Sequence, residues 1–279
     1  MGDTALVLGA GGITGVGWEI GMLYGLAEAG VDVTGAELVV GSSAGSVVGA
    51  QITSGAIGLP ELYERQLARA DGEIPARLGP ATVLRFARAA LTSRTPEEYG
   101  RKLGRVAAAA GTAEGAARRE VIAGRLVSHE WPARRLRITA VAADSGELRI
   151  FDRDGGVGLV DAVAASCAVP GVWPAVTAEG VQWIDGGVHS PANAQLAAGY
   201  DRVLVLAPLS FGGGPLDSPR TQVAKLTAAG ARVELITPDP AARRAFGRNS
   251  LEPARRAPAA RAGRAQAAAH AAAVKELWA

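Results

Sequence analysis

Cysteine is all but missing from this chain: Cys167 is the one thiol among 279 residues, which excludes an internal disulfide and fits a reducing, cytoplasmic compartment. Histidine is scarce as well, with three residues, and no Cys/His group has metal-site spacing, so neither a metal nor another cofactor is expected. Uncharged apolar runs of the ~18 residues that a spanning helix needs are absent. The N-terminal stretch has no basic segment ahead of its apolar run, and Leu6 stands where N-myristoylation wants Ser or Thr; neither a secretory leader nor that anchor is expected.

What the chain has in quantity is apolar residues, 48%, enough for a sizeable core. Net charge is only +2, yet it is unevenly spread. Residues 59–135 hold 14 Lys/Arg against 9 Asp/Glu, and residues 241–279 hold 8 against 2. Basic segments beside an acidic body suit peripheral contact with an anionic membrane; solvated arginine-rich helix faces explain the same pattern. No nucleic-acid partner is expected, and the oligomeric state is left open.

The pattern of elements reads as α/β. Thr4 to Leu8 is a strand, Trp18 to Ala29 a helix, Glu37 to Val40 a strand and Ala44 to Ser54 a helix. Two such units place their loops at the carboxyl ends of parallel strands, where a site is expected. Residues 59 to 128 contain no convincing strand and read as several short helices broken by prolines. Within them Val83, Leu84, Phe86, Ala87, Ala90 and Leu91 form an apolar face, read as covering the sheet, with a lid or a lipid-facing surface as the alternative. Leu136 to Ala142, Val181 to Ile184, Val203 to Ala207 and Val233 to Ile236 are further strands, with Leu148 to Phe151 an antiparallel neighbour of the first. Leu159 to Ser166 and Thr221 to Ala229 are helices, and the alanine- and arginine-rich stretch from Ala254 is helical too.

Two stretches carry chemistry. Gly41-Ser42-Ser43-Ala44-Gly45 follows a strand and precedes a helix, and so tight a turn needs small neighbours, pushing Ser43 out with helical amides behind it. The loop Gly9-Ala10-Gly11-Gly12-Ile13-Thr14-Gly15 also lies between strand and helix and offers backbone N–H groups to an anion. It departs from the dinucleotide fingerprint at Thr14 and lacks the lysine of a phosphate loop. A nucleophilic serine needs a base. None of the three histidines has a context for it, whereas Asp185 ends a strand and is followed by Gly186 and Gly187, which leave room around its carboxylate.

Together these blocks resemble the patatin-like phospholipases, lipid acyl hydrolases with a Ser-Asp dyad. The glycine-rich loop from Gly9 to Gly15 is similar to the family's oxyanion-hole motif, and Gly41 to Gly45 to its nucleophile elbow. Ala165-Ser166-Cys167-Ala168-Val169-Pro170 with Trp173-Pro174 is similar to its Ala-Ser-x-Ala-x-Pro segment, and Asp185-Gly186-Gly187 to its dyad motif. The resemblance implies a three-layer α/β/α sandwich around a mainly parallel sheet, residues 1–279 forming one domain with a cap-like helical insertion at about 59–128. It further implies that Ser43 attacks a lipid ester, Asp185 takes its proton, and amides of Gly11, Gly12 and Ala44 hold the oxyanion. Thr14 departs from the family, which usually has a basic residue there. Two other readings stand beside this one: a nucleotide-binding protein using the Gly9–Gly15 loop, and a catalytically silent adaptor of the same fold.

Overall fold

A computed structural model describes residues 3–69, 72–109 and 115–279. The readings that touch Met1, Gly2, positions 70–71 and positions 110–114 lie outside these residues. In chain order the regular elements are β1 (Thr4–Leu8), α1 (Gly12–Glu28), β2 (Leu38–Ser42), α2 (Ala44–Thr53), α3 (Leu59–Leu67), α4 (Pro80–Thr92), α5 (Pro96–Ala108) and α6 (Gly115–Arg125). They continue with β3 (Arg135–Ala142), β4 (Leu148–Phe151), α7 (Leu159–Ser166), β5 (Val176–Ala178), β6 (Val181–Asp185) and β7 (Arg202–Leu206). The chain then runs through α8 (Pro219–Ala228), β8 (Arg232–Ile236), α9 (Pro240–Phe246), α10 (Arg256–Ala267) and α11 (Ala271–Trp278).

One mostly parallel sheet holds these strands, in the order β5-β6-β3-β2-β1-β7-β8, with β4 also on β3. Alternation along β1 shows why helices flank both faces. Leu6 and Leu8 pack into one buried cluster with α1, α2, α7 and α10, while Ala5 and Val7 pack into another that includes Leu226 of α8.

The pairing of β3 determines where the loops meet. Thr139 lies opposite Ser42 and also opposite Ile150, and Ala140 lies opposite Asp185 and also opposite Arg149. A strand residue has one neighbour on each edge, so β4 lines one edge of β3 and both β2 and β6 share the other. β2 runs parallel to β3 and β6 antiparallel, so their carboxyl ends meet head to head beside Thr139 and Ala140.

Helix α1 starts at Gly12, six residues earlier than the pattern predicts. The glycines that hid its first turns by their low helix propensity are there for packing. A β-carbon on Gly17 would lie 2.5 Å from the Arg256 carbonyl oxygen and one on Gly25 2.6 Å from that of Arg264, while one on Gly21 would overlap the Ala260 carbonyl. Gly263 of α10 meets the Trp18 carbonyl in the same way. Trp18 Nε1 donates to Gln266 Oε1 at 3.0 Å, joining the two helices by a buried hydrogen bond.

The regular elements described in the 59–128 stretch are all helices, α3 to α6, joined by irregular segments such as 73–79. The apolar face of α4, however, only partly covers its neighbours. Ala89, with Phe86 and Ala90, packs toward Tyr99 and Leu103 of α5 and Val141 of β3, whereas Val83, Leu84 and Leu91 face outward, Leu91 being 86% exposed. The short strand β5 and helix α9 carry too few residues to have shown a period.

Replacing Gly21 by alanine should lower the unfolding free energy by at least about 2 kcal/mol in urea titration, through overpacking of α1 against α10. Gly124→Ala, at a helical site with nothing within 4 Å of the added carbon, is the control and should be neutral or stabilising by up to about 1 kcal/mol.

Candidate active site

Ser43 sits at φ 52° and ψ −112°, a backbone conformation that costs a non-glycine residue about 1–3 kcal/mol. The flanking glycines make room for it: a β-carbon on Gly41 would strike the carbonyl of Gly45, and one on Gly45 the carbonyl of Leu8. The turn is pinned by Gly45 N–H donating to the Gly9 carbonyl at 3.0 Å and Ser46 Oγ donating to the Ser43 carbonyl at 2.6 Å.

The head-to-head strands bring Asp185 to this turn. Its Oδ1 accepts from Gly187 N–H at 2.7 Å, while Oδ2 is buried and accepts no hydrogen bond of ordinary geometry. Burial pushes the carboxyl up to about 6, an effect opposed by the Ser43 hydroxyl, the Gly187 amide and the positive charge of Arg118. Glycine is required next in the chain, since a β-carbon on Gly186 would overlap Thr139 and one on Gly187 would lie 2.8 Å from Ala10 Cβ.

Three consecutive residues, starting with the last of α7, hold both halves of the pair. Ser43 N–H donates to Ser166 Oγ at 2.8 Å, the Cys167 thiol donates to the Ser43 carbonyl at 3.3 Å, and Asp185 N–H donates to the Ala168 carbonyl at 3.0 Å. Cys167 is buried, which raises its thiol pKa, so it serves here as a neutral donor.

In the glycine-rich loop, Gly9 and Ala10 donate their amides to Leu206 and Pro191, Thr14 to Ser250 and Gly15 to Gly11. Those four amides are committed, so the loop does not present its whole run of backbone N–H groups to an anion. Gly12, at φ 60°, stands with Ser43 and Ala44 in the wall of a small cavity of about 20 Å³, and helix starts leave such amides without intrahelical acceptors. Gly11 lies one residue back, where a β-carbon would be 2.5 Å from Pro208 Cβ. A β-carbon on Gly15 would lie 3.1 Å from Ala44 Cβ, so its absence lets α1 and α2 approach at their starts. Thr14 is buried, its hydroxyl 3.3 Å from the Gly11 carbonyl.

Two residues at the site gave no sequence signal. Asn193, fully buried at φ 54°, donates through Nδ2 to Ser42 Oγ (2.8 Å), the Gly186 carbonyl (3.0 Å) and the Ser190 carbonyl (3.1 Å), tying the residue before Ser43 to the one after Asp185. Arg118 of α6 is the other, and lines the same cavity as Trp173, whose ring lies 4.1 Å from its guanidinium carbon. Trp18 and Trp183 are core residues. The histidines have other partners: His189 Nδ1 meets Asn193 Oδ1 at 2.9 Å, His129 the Ala123 carbonyl and His270 the carboxylate of Glu234. Among the described residues no three His, Cys, Asp or Glu side chains gather as a metal site, and no helix is long and apolar enough to cross a membrane.

The sequence matches the profile of the patatin-like phospholipases over residues 6–198. No curated protein matches it significantly. Among solved structures it is similar to VipD from Legionella pneumophila, at 14% identity and a TM-score of 0.49 over 98% of this chain and 67% of that one. It is also similar to the type III effector protein ExoU, at 16% identity and a TM-score of 0.42, and spans 53% of that chain's length for 98% of its own. The family profile takes in the glycine-rich loop, the serine turn, the Ala165–Pro170 segment and Asp185, well over half of the sequence, and on that match this chain belongs to the patatin-like phospholipase family.

Proposed function

We propose that this protein is a serine acyl hydrolase that cleaves carboxylic esters of lipids through a Ser43–Asp185 dyad and an acyl-enzyme. The observation that supports it most is the meeting of β2 and β6, which sets the Ser43 hydroxyl against a buried carboxylate with one oxygen otherwise unpartnered. Ser43 Oγ attacks the ester carbonyl as its proton passes to Asp185 Oδ2. The oxyanion is received by the amides of Gly11, Gly12 and Ala44, each such donor being worth about 3 kcal/mol in the transition state. Collapse expels the alcohol, which takes the proton from Asp185, and water then attacks the acyl-enzyme with the same carboxylate as base.

The cavity at Ser43, about 20 Å³, is too small for an acyl chain, but one of about 590 Å³ adjoins it and shares Ile13, Val16, Glu73, Ile74 and Arg125 with it. We assign the acyl chain to the larger space and treat residues 1–279 as one catalytic domain capped by the helices of 59–128. The outward Val83, Leu84 and Leu91 of α4, flanked by exposed Arg85 and Arg88, suit peripheral contact with an anionic lipid surface. The lone, unpaired Cys167 suits a reducing, cytoplasmic setting.

Ser43→Ala should lower kcat on nitrophenyl acyl esters by about a thousandfold or more, and equal rates from both proteins would remove Ser43 from the mechanism. Asp185 must be ionised to act as base, so kcat/KM should rise with pH and reach half its plateau near pH 6. The same shift has a cost in stability. Native Asp185 holds its proton more tightly than the unfolded chain does, so the wild type loses stability as pH rises from about 4 to 6 and bears the full penalty above that. Asp185→Asn should therefore be inactive yet about 1–3 kcal/mol more stable at pH 7.5, with the gain gone below about pH 4, as read by urea titration. Changing Leu84 and Leu91 together to aspartate should weaken co-sedimentation with phosphatidylglycerol vesicles at least about tenfold. Undiminished binding would take α4 out of the membrane contact.

A further inference from the structure

Arg118 is 8% exposed, and its Nε and Nη1 are buried with no hydrogen-bond partner. A guanidinium has no neutral state to retreat to near pH 7, so an unanswered one in a protein interior is costly unless something else completes it. The Trp173 ring covers one face but accepts nothing from its N–H groups. Glu73, the nearby acid, is held elsewhere: Arg125 grips it through Nε (3.0 Å) and Nη2 (2.6 Å), and Arg256 approaches it at 3.7 Å. Among the described residues no carboxylate lies within 4 Å of an Arg118 nitrogen. Three guanidinium groups thus surround Glu73 where the Ser43 cavity borders the larger one, and even with Asp185 ionised positive charge stays in excess beside the serine.

We propose that Arg118 receives an anionic group carried by the substrate near its scissile ester, a phosphate diester or a carboxylate, and makes the site selective for anionic over neutral esters. The assignment rests on the Ser43–Asp185 reading. It also gives meaning to the departure at Thr14, whose buried hydroxyl faces the Gly11 and Ser250 carbonyls and offers no charge to a ligand. A helix of the 59–128 stretch supplies the cation in place of the loop. An anion seated on one edge of the Arg118 guanidinium would meet Nε–H with Nη2–H, or on the other edge Nη1–H with Nη2–H, in a low-dielectric wall where charge-assisted hydrogen bonds are strong.

Two matched substrate pairs test this: dihexanoyl phosphatidylglycerol against dihexanoylglycerol, and 4-carboxyphenyl hexanoate against 4-nitrophenyl hexanoate. Within each pair the ratio of kcat/KM cancels any effect of Arg118 on the acidity of Asp185, since both members share the acyl-transfer step. Arg118→Gln should lower the anionic-to-neutral ratio about 10- to 100-fold in at least one pair, mainly through KM, with Arg118→Lys intermediate. The pair that responds identifies the anion as phosphate or carboxylate. Ratios within twofold of the wild type in both pairs would overturn the proposal. Thermal shifts with glycerol 3-phosphate and with 4-hydroxybenzoate, on Ser43→Ala protein with and without Arg118→Lys, give a readout that needs no turnover. Stabilisation by one of them that the lysine variant weakens supports the site even if Arg118→Gln fails to fold, and no stabilisation by either overturns it. Full activity in Ser43→Ala would sink the dyad, a result separable from either outcome for Arg118.

Discussion

Backbone register, more than any side-chain contact, holds a hydroxyl and a carboxylate together here. Ser42 is fixed opposite Thr139 and Asp185 opposite Ala140, on the same edge of β3, so two strands arriving from opposite directions end at one point. Both strands are buried at their carboxyl ends, and neither end can drift without breaking ladder hydrogen bonds. The antiparallel course of β6 is what makes this possible. A parallel strand in that place would have carried Asp185 away from the serine turn.

Two unfavourable states are concentrated at that point: a serine at positive φ and an acid out of water. Both persist because the surroundings over-determine them. The segment from Ser166 to Ala168 binds the backbone of each partner, and Asn193 bridges the strand residue before the serine to the glycine after the acid. Asn193 has no solvent exposure, so its amide has no competing water, and its hydrogen bonds define one geometry.

Much of this was legible from residues alone. The strand-to-helix glycines around Ser43, the paired glycines after Asp185 and the all-apolar strands are local patterns with local causes, and the alternation in Leu136 to Ala142 correctly announced a central strand. Other parts depend on what lies across the fold. The early start of α1 was hidden because Gly12, Gly15 and Gly17 read as a loop until α10 and α2 are seen against them. The outward turn of Leu84 and Leu91 follows from how α4 lies on α5, which hydrophobic periodicity does not encode. Asn193 and Arg118 matter through partners far away in sequence, and a lone Asn or Arg in a polar stretch has nothing to mark it.

The portion of the chain that follows residue 198 lies past the family match, yet it forms part of the wall around Ser43. Ser250 accepts the amide of Thr14, Leu251 lines the cavity with Ser43, and α10 seats itself in the glycine groove of α1. A transplant of residues 6–198 alone into another scaffold would therefore arrive with its glycine-rich loop unbraced, the missing brace being a carbonyl contributed from more than two hundred residues downstream.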